Sequence, residues 1–115
     1  YNLGETMSIF EIRKAAEDNK DADAFMETLH DDFEFISHID GTTMGRAQAV
    51  EMFTFLLSSD DFVTHESRCL YENDDVMIDH GVMSFPDGTR ESVLAFHLKK
   101  DGKVIRMETG ATVLP

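Results

Sequence analysis

Two Asp-Gly pairs, Asp87-Gly88 and Asp101-Gly102, each stand between runs in which apolar and polar residues alternate. Asp-Gly supplies the positive φ angles of a tight hairpin turn, and between alternating runs it is the strongest short-range hairpin signal. Val76 to Phe85, Arg90 to Lys99 and Lys103 to Val113 therefore read as three strands joined through "PDGT" and "KDGK". Phe62 to Tyr71, closed by "END", reads as a fourth.

The first half follows a helical period. Ile9, Ile12 and Ala16 share one face of a helix over Ser8 to Asp18, with Ser8 and Glu11 spaced as a capping box. A short second helix begins near Asp21, with Ala22, Phe25, Met26 and Leu29 on its apolar side. The period then drops to two, with Phe33, Phe35 and Ser37 on one side of a strand. "IDGTTMG" reads as a loop, and Arg46 to Leu57 as a third helix with Ala49, Val50, Phe53, Leu56 and Leu57 on one side. The order is α+β: three helices laid on one face of a bent antiparallel sheet.

If both Asp-Gly turns have two residues, the strand faces can be solved. Asp79 then stands opposite Phe96, and Phe96 opposite Met107. One face collects Met77, Asp79, Gly81, Met83, Phe85, Leu94, Phe96, Leu98, Ile105 and Met107. This apolar face should meet the helices, so Phe25, Leu29, Phe53, Leu94 and Phe96 are expected to be buried together. The opposite face carries His80, Val82, Ala95, His97, Arg106 and Glu108. Asp79 is thereby the residue whose position costs something, because an unpaired carboxylate among Met and Phe is strongly disfavoured.

Length and charge narrow the function. The 115 residues suffice for one domain with one core, taken as 1–115. Twenty-three acidic residues against ten basic ones give a net charge of -13, which would repel a phosphate backbone and anionic membranes alike. Neither a nucleic-acid nor a membrane partner is expected. The opening "YNLGETMSIF" has no secretory pattern, and a single cysteine, Cys69, fits a reducing compartment, so a cytoplasmic setting is expected.

Three stretches then carry a family resemblance: "AAEDNKDADAFMETLHDDFEF", "GTTMGRAQAVEMF" and the closing "KKDGKVIRMETG". In this order and spacing they resemble the two-helix opening, the Gly-Arg helix start and the final hairpin of the NTF2-like superfamily, and within it the SnoaL-like polyketide cyclases. The resemblance covers nearly the whole chain. It implies a cone of sheet and helices, open at one end to an apolar pocket, and often a homodimer formed through the outer sheet face. Relatives span enzymes such as ketosteroid isomerase, scytalone dehydratase and limonene epoxide hydrolase, and non-catalytic modules, so fold does not fix function. The ketosteroid isomerase residues do not carry over. Its base falls at Ser37 or His38, its oxyanion-hole tyrosine near Arg13, and its second aspartate near Leu94 or Ala95. SnoaL-like cyclases place an aspartate acid/base in the cavity on a late strand, a role for which Asp79 is the candidate.

Asp79 buried in an apolar pocket would have a raised pKa, suiting it to proton abstraction beside a carbonyl. His38 ends the first strand near the expected pocket mouth, with Asp40 two residues on, as a second acid/base candidate. Phe35, Phe53, Tyr71, Met83 and Phe96 are the candidate ligand-binding residues. His65, His80 and His97 show no ligand spacing for zinc, so no metal is expected, nor any cofactor. Cys69 is expected in the core. The chain is read as a binder of a small apolar organic ligand, with cofactor-independent isomerase, cyclase or hydratase chemistry open to it. The alternative is a non-catalytic dimeric binding or assembly module.

Overall fold

The computed structural model describes residues 7–115. The opening "YNLGET", part of the stretch read above for a secretory pattern, lies outside the described residues. The first helix, α1 (Ile9–Asp18), is capped as its sequence dictates. Ser8 Oγ accepts from Glu11 N at 3.1 Å, and Glu11 Oε1 accepts from Ser8 N at 3.2 Å. Its start is also tied to the sheet, because Ile9 N donates to Glu72 Oε2 and Lys99 Nζ pairs with the same oxygen at 2.6 Å. A five-residue helix, α2 (Ala22–Met26), follows, with Asp21 as its N-cap.

The remaining elements are β1 (Leu29–Ser37), β2 (Thr43–Gly45), α3 (Arg46–Ser58), β3 (Val63–Glu72), β4 (Val76–Ser84), β5 (Arg90–Lys100) and β6 (Lys103–Val113). They build one six-stranded sheet in the order β2-β1-β6-β5-β4-β3. All its pairings are antiparallel except β1 with β6, which is parallel. This is the α+β architecture expected from the element order. Two local features differ. Leu29 opens β1 rather than closing the second helix, and the "TMG" of the expected loop forms the short edge strand β2. Among the described residues no helix is long and apolar enough to cross a membrane.

The core lies between the helices and the inner sheet face. Phe53 of α3 is its hub, with ring centroids 5.0 Å from Phe25, 6.3 Å from Phe33 and 5.9 Å from Phe35. Ala49, Phe53 and Leu57, four residues apart, are the buried stripe of α3.

The expected strand register fails twice, by one residue each time. At Asp87-Gly88 the ladder closes with Phe85 N donating to Thr89 O, so the loop is the three residues Pro86, Asp87 and Gly88. A two-residue turn would have put Pro86 into the ladder, where it has no N–H to give. Gly88 (φ 87°) supplies the single positive φ the longer loop needs. At the other hairpin, Asp101 (φ 54°) and Gly102 (φ 77°) do form the two-residue turn. Here a bulge at Ile105 shifts the pairing beyond it, so that Leu98 meets Arg106.

The two slips add to a two-residue shift of β4 against β6, which leaves both strands on their expected faces, and invert β5 alone. Asp79 now pairs with Ala95 and Ala95 with Thr109, while His97 stands between Met77 and Met107. Ala95 and His97 are therefore buried on the inner face. Leu94 and Phe96, expected in the core, are 51 % and 38 % exposed on the outer one, with Leu98 beside them.

The α3 stripe yields a direct test. Phe53→Ala should cost about 3–5 kcal/mol in urea unfolding. Phe55→Ala, on the solvent side of the same helix, should stay within about 0.5 kcal/mol.

Candidate functional site

The inner face carries two rows of side chains across the sheet. One is large: Phe35, Met107, His97, Met77. The next is small except at its end: Ser37, Thr109, Ala95, Asp79. Short side chains in one row, with bulky ones beside them, leave room under the helices. A cavity of about 300 Å³ lies there. Phe35, Phe53, Met83 and Met107 give it mostly apolar walls, and Asp79 lines it together with Arg13, Glu17 and His97.

Arg13 and Glu17 come from α1, four residues apart and thus on one helix face. Arg13 is buried, with 5 % of its surface exposed. Its guanidinium lies 4.2 Å over the Phe25 ring and gives Nη2 to Met107 Sδ at 3.6 Å, a weak acceptor. Burial pulls its pKa down, and the charges of Asp79 and Glu17 resist that pull. Burial pushes the Asp79 carboxyl up to about 6 against the opposing charge of Arg13. Burial likewise pushes Glu17 up to about 7, again opposed by Arg13, with Asp79 adding to the rise.

His97 is wholly enclosed. Its Nδ1 donates to Met77 O at 3.1 Å, which assigns the proton to that nitrogen and leaves Nε2 an acceptor. Burial, with the Arg13 charge adding to it, holds the imidazole pKa well below the ordinary value, so the ring is neutral.

The other sequence candidates are dispersed. Asp40 is exposed at the cavity rim, where Oδ1 accepts from Thr42 N at 2.9 Å, and those Thr42 bonds lower its pKa. His38 does not pair with it. His38 lies on the outer face, with Nε2 2.9 Å from Glu108 Oε1. Tyr71 is exposed and lines no part of the cavity, and Phe96 is on the outer face with β5. Cys69, expected in the core, is exposed on the edge strand. His80 turns outward, taking Arg68 Nε on Nδ1 at 3.1 Å and bonding Ser92 Oγ at 2.8 Å. His65 bonds Ser84 Oγ, so the three histidines weighed for zinc do not converge.

Sequence reasoning thus passed over Arg13 and Glu17, and it set His97 on the outer face and weighed it only for zinc. Arg13 had a visible signal, since it lies four residues after Ile9 and three before Ala16, inside the apolar stripe of α1. The sign that would have placed His97 was Pro86.

A SnoaL-like domain model matches residues 12–107. An NTF-2 like protein of unknown function from Burkholderia xenovorans LB400 superposes with a TM-score of 0.72 at 17 % identity, covering 90 % of this chain and 80 % of that one. A provisionally assigned polyketide cyclase from Sinorhizobium meliloti gives 0.70 at 17 % identity over 95 % and 99 %. A steroid delta-isomerase from Pseudomonas aeruginosa gives 0.65 at 14 % identity over 86 % and 73 %. No curated protein matches the sequence. At these identities the structures establish the fold.

The raised pKa of Asp79 has a signed consequence. A carboxyl that binds its proton more tightly when folded stabilises the native state most below its unfolded value, near 3.8. That contribution is lost as pH rises through about 6. Asp79→Asn should therefore stabilise the protein at pH 7 by about 1–3 kcal/mol and change little at pH 4, measured by urea melts at both. A destabilised variant at pH 7 would instead make Asp79 a structural partner of Arg13.

Proposed function

The chain belongs to the SnoaL-like domain family within the NTF2-like superfamily, and from that premise we propose that it binds a small apolar organic molecule in the cavity and transfers a proton on it without a cofactor. The observation that carries this reading is Asp79, a carboxyl with its pKa raised to about 6, lining a mostly apolar cavity of about 300 Å³. A base in that range is mostly ionised at neutral pH yet still basic enough to take a proton from carbon beside a carbonyl. Asp79 removes the C–H proton, and the electron pair left behind moves onto the carbonyl oxygen as an enolate. Returning the proton to another atom of the ligand completes an isomerisation. Phe35, Phe53 and Met83 hold the apolar body of the ligand. Asp40 stands at the entrance, and His38, on the far side of the sheet, takes no part.

Neighbours named as a steroid delta-isomerase and a polyketide cyclase share the fold and leave the reaction open. The test is hydrogen–deuterium exchange beside the carbonyl of an apolar ketone such as α-tetralone, followed by proton NMR in D2O. Exchange should be catalysed by the parent and fall by about 100-fold or more in Asp79→Asn. Ala95→Leu, which fills the small row, should abolish binding. A ketone panel exchanging no faster than in buffer would overturn the catalytic reading and leave the alternative, a binding or assembly module.

We also propose a homodimer formed through the outer sheet face. Leu94, Phe96 and Leu98 expose an apolar stripe along β5, flanked by Ile78 and by both signs of charge in Arg106, Glu108 and Glu34. Such a mixed, self-complementary surface suits an isologous contact. Sedimentation at micromolar concentration should give twice the chain mass, and Phe96→Lys should restore the monomer; a monomeric parent ends the proposal. A reducing, cytoplasmic setting is proposed from the single exposed thiol, Cys69.

A further inference from the structure

Three buried side-chain nitrogens have no protein hydrogen-bond partner among the described residues: Arg13 Nε, Arg46 Nε and His97 Nε2. Arg46 lies at the start of α3, away from the cavity lining. The other two belong to residues that line the same cavity, and both residues are more than nine-tenths buried. A buried polar atom left unpaired is costly, and a molecule in the cavity that supplied a partner to each would remove that cost.

Their chemistry is complementary. Arg13 can only donate. His97 has used its N–H on Met77 O, so its second nitrogen can only accept. We propose that the cavity selects an apolar molecule whose polar end carries both a carbonyl acceptor, which takes a hydrogen bond from Arg13, and a donor hydrogen, which is given to His97 Nε2. A primary carboxamide and an α-hydroxy ketone share that chemistry. The inference rests on the ligand-binding reading above, and it makes Arg13 and His97 specificity-determining residues in addition to Asp79.

A carboxylate end fits less well. It would satisfy Arg13 but add a further acidic group to a cavity already lined by Asp79, Glu17, Asp40 and Glu91, and it offers no hydrogen to a neutral imidazole. A purely apolar ligand would leave both nitrogens unpaired.

The test is equilibrium binding of four probes of similar girth: benzamide, 2-hydroxyacetophenone, acetophenone and ethylbenzene. Benzamide, 2-hydroxyacetophenone or both should bind about tenfold or more tighter than ethylbenzene, with acetophenone between. Whichever of the two binds tighter identifies the source of the donor. The same probe should shift the nitrogen-15 resonance of His97 Nε2, read in the parent so that no variant need fold. In His97→Phe the advantage of benzamide over acetophenone should vanish, and in Arg13→Met the ketone and amide should fall to the level of ethylbenzene. Benzamide and 2-hydroxyacetophenone both within threefold of ethylbenzene in the parent, or a His97 resonance unmoved at saturation, overturns the inference. Probe preference and ketone exchange, measured together in the parent, separate the two proposals. Retained probe preference in a parent that exchanges no ketone sinks proton transfer alone, whereas lost preference with catalysed exchange sinks the polar-end site alone.

Discussion

The guanidinium of Arg13 is the group on which the rest of the cavity depends. A buried cation is tolerated only where other groups replace the water it has lost. Here the replacement is divided among the Phe25 face, the sulfur of Met107 and the nearby charges of Asp79 and Glu17. None of these contacts is a close ion pair among the described residues, so the charge is balanced through space rather than neutralised by one partner. The arrangement explains why two carboxyls can remain in an apolar setting at all. Arg13 draws both pKa values down against burial, and they come to rest at about 6 and about 7 rather than higher. Arg13 thus acts on the protonation of both carboxyls, and Asp79 adds to the rise at Glu17. Their common geometry depends on α1, which the Glu72–Lys99 pair holds to the sheet at its first residue.

The space they surround follows from side-chain size. Thr109, Ala95 and Ser37 stand in one line across β6, β5 and β1. With larger residues there, Asp79 would have been walled off from the helices, and the sheet would have packed as a filled core. The adjoining line of Phe35, Met107, His97 and Met77 forms the filled part. Cavity and core are neighbouring rows of one inner face, and a shift of one residue in one strand replaces that strand's part of both with side chains from the outer face.

That sensitivity explains what the sequence made legible. The capping box at Ser8, the α3 stripe and the strands of the second half were all readable, because each depends on local periodicity or local turn chemistry. Asp79 fell on the inner face as expected. Its opposite neighbours did not, because face assignment on β5 depends on loop length and on the bulge at Ile105. Pro86 carried the first signal, being unfit for the ladder position that a two-residue turn would give it. The bulge has no comparable mark in the sequence. Arg13 and Glu17 were hidden for another reason: charged residues on a helix are ordinarily solvated, and only their place within the apolar stripe set these apart.

The phase of β5 also binds the two faces of the sheet to each other. Successive side chains on a strand point to opposite sides, so the shift that carried Ala95 and His97 inward carried Leu94, Phe96 and Leu98 outward. The outer surface proposed for dimerisation therefore acquires its apolar stripe as a direct consequence of building the cavity. Ala95 lies at the meeting point, lining the cavity on one side and a shallow recess with Phe96 and Glu108 on the other. A partner seated on Phe96 would sit one strand thickness from Asp79 and would brace β5 in the phase that keeps His97 inside. Association through this face would in this way be linked to pocket geometry through a single strand, with no need for any longer path between them.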